Sequence, residues 1–183
     1  MSHASKNRPY ELQEYNPEWK QWFKERSEKI KPLFGDTLLS IEHIGSTSIE
    51  GMLAKPNIDI LVVVKSLDDV TKGLQSFADA GYTPQGRDYV GGGDEYITED
   101  TFDGKRITSI HVLETGNPKI AAYREFREYL KNNEEDKNLY IETKRTLYAE
   151  HKENYGGYDS GKTETIEAIK NRAHGWAKVN LPE

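Results

Sequence analysis

The sequence predicts an α+β protein with a mixed β-sheet, flanking helices and a C-terminal helical part. Two apolar runs typical of strands, Leu38–Ile44 and Ile58–Val64, lie in the first half of the chain. From Asn117 onward, apolar residues recur at helical spacing instead. No linker rich in Pro, Gly or Ser divides the 183 residues, so we expect one domain over residues 1–183. Its sheet-containing core should reach about residue 116, and its helical part should cover about residues 117–183.

The first helix is predicted to follow the segment YNPEW. Asn16 can cap this helix, and Pro17 suits its first position. Pro32 and Gly35 are predicted to end it. Its buried face is expected to contain Trp19, Phe23, Arg26 and Ile30.

The two predicted strands are joined by Ser46–Leu53, a segment that indicates a turn or a short helix. Since Ile58–Val64 is nearly all apolar, we expect this strand to be central in the sheet and covered on both faces. A short amphipathic helix is expected over Leu67–Phe77, between a Ser66 cap and Gly81.

Residues 81–114 are predicted to form loop and strand segments, with a mobile glycine loop at 91–93 and a strand over Arg106–Leu113. Three helices are then predicted from three apolar repeats. The repeats are Ala122, Phe126, Tyr129 and Leu130; Leu139, Thr143, Leu147 and His151; and, after a Ser160 cap, Ile166, Ile169, Ala173 and Trp176.

Composition excludes several classes of function. A net charge of −6 argues against general binding to nucleic acid, which rewards clustered Lys and Arg. The chain has no cysteine, so it has no disulfides and no thiolate metal site. The opening MSHASKNRPY lacks the apolar stretch of a signal peptide, and no apolar run approaches the roughly 20 residues of a membrane helix. We expect a cytoplasmic protein without nucleic-acid or membrane partners, and its oligomeric state stays open.

The segment Gly45-Ser46-Thr47-Ser48 follows the first strand. Glycine lets a backbone approach a phosphate closely, and hydroxyl groups donate to phosphate oxygens. The same residues also suit an ordinary turn with a serine cap, and they do not form a P-loop because no Gly-Lys-Ser/Thr follows at the required spacing. The segment is therefore either a phosphate site or a turn.

Asp59 is the one charged residue of the second apolar strand. A carboxylate in that setting is costly unless it is paired, hydrogen-bonded or bound to a metal. It either pairs with Lys55 or a nearby arginine, or holds a hard cation at the mouth of the sheet.

The run HIGSTSIEGMLAKPNIDI resembles the signature of the GrpB family. The resemblance extends to YNPEWKQWF, HVLETGN, FREYLKNNEEDKNLYIETK and YDSGKTETI, and so covers nearly the whole chain. That family is similar in turn to nucleotidyltransferases, in which a Gly-Ser turn holds a triphosphate and strand carboxylates hold Mg²⁺. The resemblance implies a nucleotidyltransferase-like sheet, with Gly45, Ser46, Thr47 and Ser48 near phosphate and Asp59 as a catalytic ligand of Mg²⁺.

The sequence departs from the nucleotidyltransferase pattern at Leu61. Residues two apart on a strand share a face, so a second carboxylate is expected there, and leucine cannot ligate a metal. Standard two-metal catalysis is therefore doubtful. His111 lies in the region where nucleotidyltransferases have a third carboxylate. The family often has a His-x-His sequence there, and in this chain Ser109 replaces its first histidine. His111 is either a structural residue or a catalytic general base.

Other cations and aromatic residues are expected to surround a nucleotide. His43 precedes the turn, and Lys55 either reaches phosphate or pairs with Asp59. The resemblance adds residues of the helical part that could close over a base and a triphosphate or simply form solvated helix faces, namely Arg127, Tyr140, Lys144, Tyr158 and Lys162.

Two functions follow from these features. The first is a transferase that moves a nucleotidyl or phosphoryl group from a nucleoside triphosphate to a small acceptor. The second is a module that binds a nucleotide, a coenzyme A precursor or another phosphorylated small molecule without chemistry, as the missing carboxylate at Leu61 favours. A scaffold with a vestigial polar site is a third, weaker interpretation.

Overall fold

A computed structural model describes residues 8–181. Five strands form one sheet in the order β1-β2-β5-β4-β3, in which β2 and β5 are parallel and every other neighbouring pair is antiparallel. The strands are β1 (Leu38–Ile44), β2 (Ile58–Val64), β3 (Thr83–Arg87), β4 (Glu95–Asp100) and β5 (Arg106–Glu114). The two strands predicted first therefore have the predicted bounds. Residues 1–7, the greater part of the segment considered as a signal peptide, lie outside the description.

Helices cover the sheet and form the second half of the chain. They are α1 (Glu18–Phe34), α2 (Leu67–Lys72), α3 (Leu74–Asp79), α4 (Pro118–Asn132), α5 (Glu134–Glu150), α6 (Tyr155–Gly161) and α7 (Thr163–Asn180). This architecture confirms the α+β class, with a mixed sheet and a C-terminal helical part. Within residues 8–181, no helix combines the length and apolar character needed to span a membrane.

Strand β2 is buried on both faces, as its apolar run predicts. Ile60 and Val62 pack in the cluster that contains Trp19 of α1 and Phe77 of α3. Leu61 faces the other way and packs with Ile120 of α4. Because side chains alternate along a strand, Asp59 shares the face of Leu61 and points to the α4 side of the sheet.

The connection between β1 and β2 joins the sheet to the helical part. Ile49, Met52 and Leu53 are buried in one cluster with Tyr140 of α5 and Ile169 of α7. This packing holds the Gly45–Ser48 turn against the C-terminal helices and so determines where a site can form.

Three predicted helix boundaries were wrong. Pro32 lies inside α1 and does not end it, whereas the helix does end before Gly35, which has a φ of +54°. The helix predicted over Leu67–Phe77 is two helices that meet at Gly73. Ser160 lies within α6, where its hydroxyl donates to the Gly156 carbonyl instead of capping α7.

The predicted face of α5 was also wrong. Leu139, taken as part of the apolar repeat, is 48% exposed. The helix instead buries Tyr140, Ile141 and Lys144. A lysine on a buried face departs from the apolar pattern, and such departures are expected at functional sites.

Candidate functional site

A cavity of about 470 Å³ lies where the Gly45–Ser48 turn, the start of β2 and helices α4 to α7 meet. Small-molecule sites typically measure about 300–1,000 Å³, so this one is large enough for a nucleotide-sized ligand. Of the residues singled out from the sequence, the cavity is lined by Gly45, Ser46, Thr47, Lys55, Asp59, Tyr140, Lys144, Tyr158 and Lys162.

The turn approaches β2 closely because residue 45 is glycine. Gly45 has φ +70° and ψ −173°, a conformation that is essentially restricted to glycine. A Cβ atom at this position would lie 2.5 Å from Oδ2 of Asp59. The Ser48 hydroxyl donates to the Gly45 carbonyl at 2.6 Å, so Ser48 closes the turn and is not among the cavity-lining residues.

His43 supports the turn from behind and does not line the cavity. The Thr47 hydroxyl donates to the Asn57 carbonyl at 3.3 Å, so it accepts from Nε2 of His43 at 2.9 Å. The His43 ring stacks on Phe23 with a centroid distance of 4.8 Å. Burial, followed by the positive charges of Arg127 and Lys131, lowers the pKa of His43 to about 4. His43 is therefore a neutral donor at physiological pH.

The low pKa of His43 predicts a stability difference in mild acid. The unfolded chain takes up a proton near pH 6.5, whereas folded His43 stays neutral to about pH 4, so stability falls as the pH drops through this window. The free energy of unfolding of the unmodified protein should fall by up to about 1.4 kcal/mol per pH unit as the pH drops. We expect His43→Gln, which keeps a donor for Thr47, to abolish this contribution. Urea denaturation of both proteins between pH 7 and pH 4 measures this, and parallel curves would contradict it.

Asp59 faces the cavity and is hydrogen-bonded by Asn57. The Asn57 amide donates to Oδ1 of Asp59 at 2.7 Å and lies 3.2 Å from the Ser109 hydroxyl. Burial raises the pKa of Asp59, and Coulombic interactions with His111 and Lys55 oppose that shift. None of the ion pairs among residues 8–181 joins Asp59 to Lys55, whose ammonium donates to the Tyr155 hydroxyl.

The donors around Asp59 do not fit Mg²⁺ in the manner of a nucleotidyltransferase. Leu61 is fully buried, and the residue opposite Asp59 on β5 is Ser109, not a carboxylate. Asp159, the other acid on the cavity wall, accepts from Lys162 at 3.0 Å. Among residues 8–181, no group of three or more His, Asp or Glu is arranged to hold a metal ion.

Three lysines from separate segments converge on the cavity. The Lys55 ammonium donates to the Tyr155 hydroxyl at 2.6 Å. Lys144 is only 2% exposed. Its ammonium donates to the Ser46 hydroxyl at 2.6 Å and to the Leu53 carbonyl at 2.8 Å. Lys162 is the third, and it is the one that has a carboxylate partner.

The lysines repel one another. Burial, followed by the charge of Lys162, lowers the pKa of both Lys55 and Lys144 well below the usual value. Burial also lowers the pKa of Lys162, but Tyr140 and Asp159 outweigh it and raise that pKa overall. The aromatic walls add to this setting, since Lys144 lies 4.0 Å from the Tyr140 ring centroid and Lys162 lies 4.6 Å from that of Tyr158.

Two further predicted site residues lie outside the cavity. Arg127 donates to the His43 carbonyl at 2.9 Å and to Glu128 at 2.7 Å, so its guanidinium is engaged behind the turn. His111 lies behind the cavity-lining Tyr96 and Tyr123, and its Nδ1 is 3.2 Å from the Tyr123 hydroxyl and 3.3 Å from Asp94.

Sequence reasoning missed several cavity-lining residues. Asn57 could have been identified from the sequence, because it lies two residues before Asp59 and so is expected on the same face. Asp159 was the other residue that the sequence could have indicated, since it follows Tyr158 in the segment YDSGKTETI, which resembles the GrpB family. Other missed residues are brought to the cavity only by the fold, among them Arg8, Tyr96, Arg106, Ser109, Lys119, Tyr123, Tyr155 and Lys170.

Comparison with known proteins places this chain in a family. A family model described as GrpB protein matches residues 9–172. The UPF0157 protein YqkA of Bacillus subtilis is 35% identical over 176 residues, and the match covers 96% of this chain but only 50% of YqkA. The chain therefore spans about half the length of that relative.

Two more similarities add detail. The crystal structure of conserved protein GrpB from Enterococcus faecalis has a TM-score of 0.83 and 29% identity, covering 91% of this chain and 99% of that one. A dephospho-CoA kinase of Mycobacterium tuberculosis is 33% identical over 96 residues, which cover 51% of this chain and 21% of the kinase. Since the family model and YqkA both match most of its length, the chain belongs to the GrpB family.

Proposed function

We propose that the cavity binds a phosphorylated small molecule, either a nucleotide or a coenzyme A precursor, without the help of a metal ion. The observation that carries this proposal is that Lys55 and Lys144 enter one cavity and neither takes part in an ion pair among residues 8–181. Burying ammonium groups without anionic partners is costly, and an anionic ligand would remove that cost.

The surroundings of the lysines suit the rest of such a ligand. Ser46 and Thr47 bring hydroxyl groups to the lysine side of the cavity. Tyr123, Phe126 and Tyr158 provide aromatic surface on which a base could stack. The similarity to a dephospho-CoA kinase is a reason to test coenzyme A precursors beside nucleotides.

A binding experiment tests the proposal directly. Thermal-shift measurements with ATP, ADP, AMP, 4′-phosphopantetheine and dephospho-CoA, each with EDTA and with Mg²⁺, should show stabilisation by at least one compound. A ligand at 100 times its Kd stabilises the folded state by about 2.7 kcal/mol. We expect the shift to persist in EDTA, because the lysines rather than a metal would hold the phosphate. Shifts that require Mg²⁺ would contradict metal-free binding, and no shift with any compound would contradict the function.

Transfer of a nucleotidyl or phosphoryl group is the second candidate function. It is favoured by the position of Asp59, which borders the cavity beside the Gly45 turn. A single carboxylate compensates little of the charge of two Mg²⁺ ions, so we rank transfer below binding. Incubation with each nucleoside triphosphate, Mg²⁺ or Mn²⁺ and small acceptors should show turnover that Asp59→Asn abolishes if transfer occurs.

A further inference from the structure

The cavity contains more positive charge than its acids balance. Three cations at its edge each pair with a carboxylate, namely Arg106 with Asp100, Lys119 with Asp94 and Lys170 with Glu167. Lys162 is likewise paired with Asp159. None of the ion pairs among residues 8–181 includes the three remaining cavity cations, Arg8, Lys55 and Lys144.

Asp59 can offset one of these three charges. Its carboxylate lies on the same cavity wall and contributes at most one negative charge. A bound anion opposes the shift that lowers the pKa of Lys55 and Lys144, and with both lysines protonated two positive charges remain for that anion to balance. Within the cavity, this imbalance matches a ligand group with two negative charges.

The unused hydrogen-bond donors indicate the same kind of group. An ammonium group has three N–H donors. Lys55 uses one of them on Tyr155, and Lys144 uses two on Ser46 and Leu53. The two side chains together keep three N–H donors, enough for each unesterified oxygen of a terminal phosphate to accept one.

Building on the proposed function, we infer that the cavity recognises a terminal phosphate monoester, a dianion with three free oxygens, and discriminates against phosphodiesters and other monoanions. A monoanion would leave one of the cavity's positive charges unbalanced. Charge-assisted hydrogen bonds are the stronger kind in proteins, so the missing oxygen should weaken binding substantially.

A matched pair of probes tests the charge without changing the size. Phenyl phosphate is a dianion at pH 8, because the second pKa of a phosphate ester is about 6. In phenyl methylphosphonate a methyl group replaces one terminal oxygen and the charge is −1. By calorimetry or NMR titration at pH 8, we expect phenyl phosphate to bind at least about tenfold more tightly.

Variants locate the discrimination. Lys144→Gln and Lys55→Gln should each reduce the preference for the dianion. Circular dichroism shows whether each variant folds, and if one does not, the result from the other decides the test. Lys131→Gln is the matched control, because Lys131 pairs with Glu128 and does not line the cavity. Equal affinities for the two probes would overturn the inference, as would a preference unchanged in both variants.

The same experiment separates this inference from the proposed function. Selective binding of phenyl phosphate without binding of any nucleotide or coenzyme A precursor would support terminal-phosphate recognition and overturn the proposed ligand class. Binding of a nucleotide together with equal binding of the two phenyl probes would do the reverse. If neither the phenyl probes nor the biological compounds bind, both are overturned.

Discussion

Replacing Lys55 with methionine is expected to stabilise the ligand-free protein and to remove most of its affinity for phosphorylated ligands. Methionine is similar in length to lysine but uncharged, so it ends the repulsion from Lys162 and Arg8 and the cost of burying the ammonium. The Tyr155 hydroxyl keeps Arg8 at 2.5 Å and Asp159 at 3.3 Å, so the change leaves no orphaned partner.

Lys55→Met should raise stability and lower affinity, and the two effects are measured separately. Removing an unfavourable charge from a functional site typically stabilises by about 0.5–2 kcal/mol, and we expect a gain near 1 kcal/mol in urea denaturation without ligand. Loss of a charge-assisted hydrogen bond costs about 1.5–3 kcal/mol, so affinity for the tightest binder among ATP, ADP, AMP and 4′-phosphopantetheine should fall roughly 10- to 150-fold.

Lys131→Met provides the comparison, because it removes an exposed, ion-paired lysine from α4 outside the cavity. We expect this variant to bind ligand like the unmodified chain. A Lys55→Met protein that is less stable than the unmodified chain would indicate that the Lys55 charge serves the fold. In that case its burial would no longer support a binding function.

The sequence predicted the part of the site that is local in the chain. The bounds of β1 and β2 followed from their apolar runs. Asp59 was identified because a carboxylate in an apolar strand is costly unless it has a partner. The family resemblance implied that Asp59 and the Gly45 turn share one site, and the pairing of β1 with β2 brings them together.

The remainder of the site depends on contacts between distant parts of the chain. Lys55 meets Tyr155 across 100 positions, and Lys144 meets Ser46 across 98. Apolar periodicity could not show that α5 turns Lys144 inward, since the pattern assumes that charged faces meet water. The same limit explains Arg127, whose residue type suits phosphate but whose donors are engaged with His43 and Glu128.

Gly45→Ala is expected to destabilise the protein by about 3 kcal/mol or more. The backbone conformation at Gly45 is essentially closed to other residues and costs roughly 1–3 kcal/mol by itself. The new Cβ would also lie 2.5 Å from Oδ2 and 3.0 Å from Cβ of Asp59, and relieving such overlap typically costs about 1–3 kcal/mol more. Urea denaturation gives the loss, and ligand titration should show weaker binding because the turn or Asp59 has to move.

A control and a double-mutant cycle separate backbone strain from the clash. Gly104 also has a positive φ, +80°, but a Cβ there would meet nothing within 4 Å, so Gly104→Ala should cost only the backbone share. In an Asp59→Ala background the carboxylate is gone, and Gly45→Ala should then cost less than in the unmodified chain. An equal cost in both backgrounds would contradict the close contact between turn and strand. That contact sets the Gly45–Ser48 turn against the Asp59 wall of the cavity, so the measured coupling also reports on how the site is built.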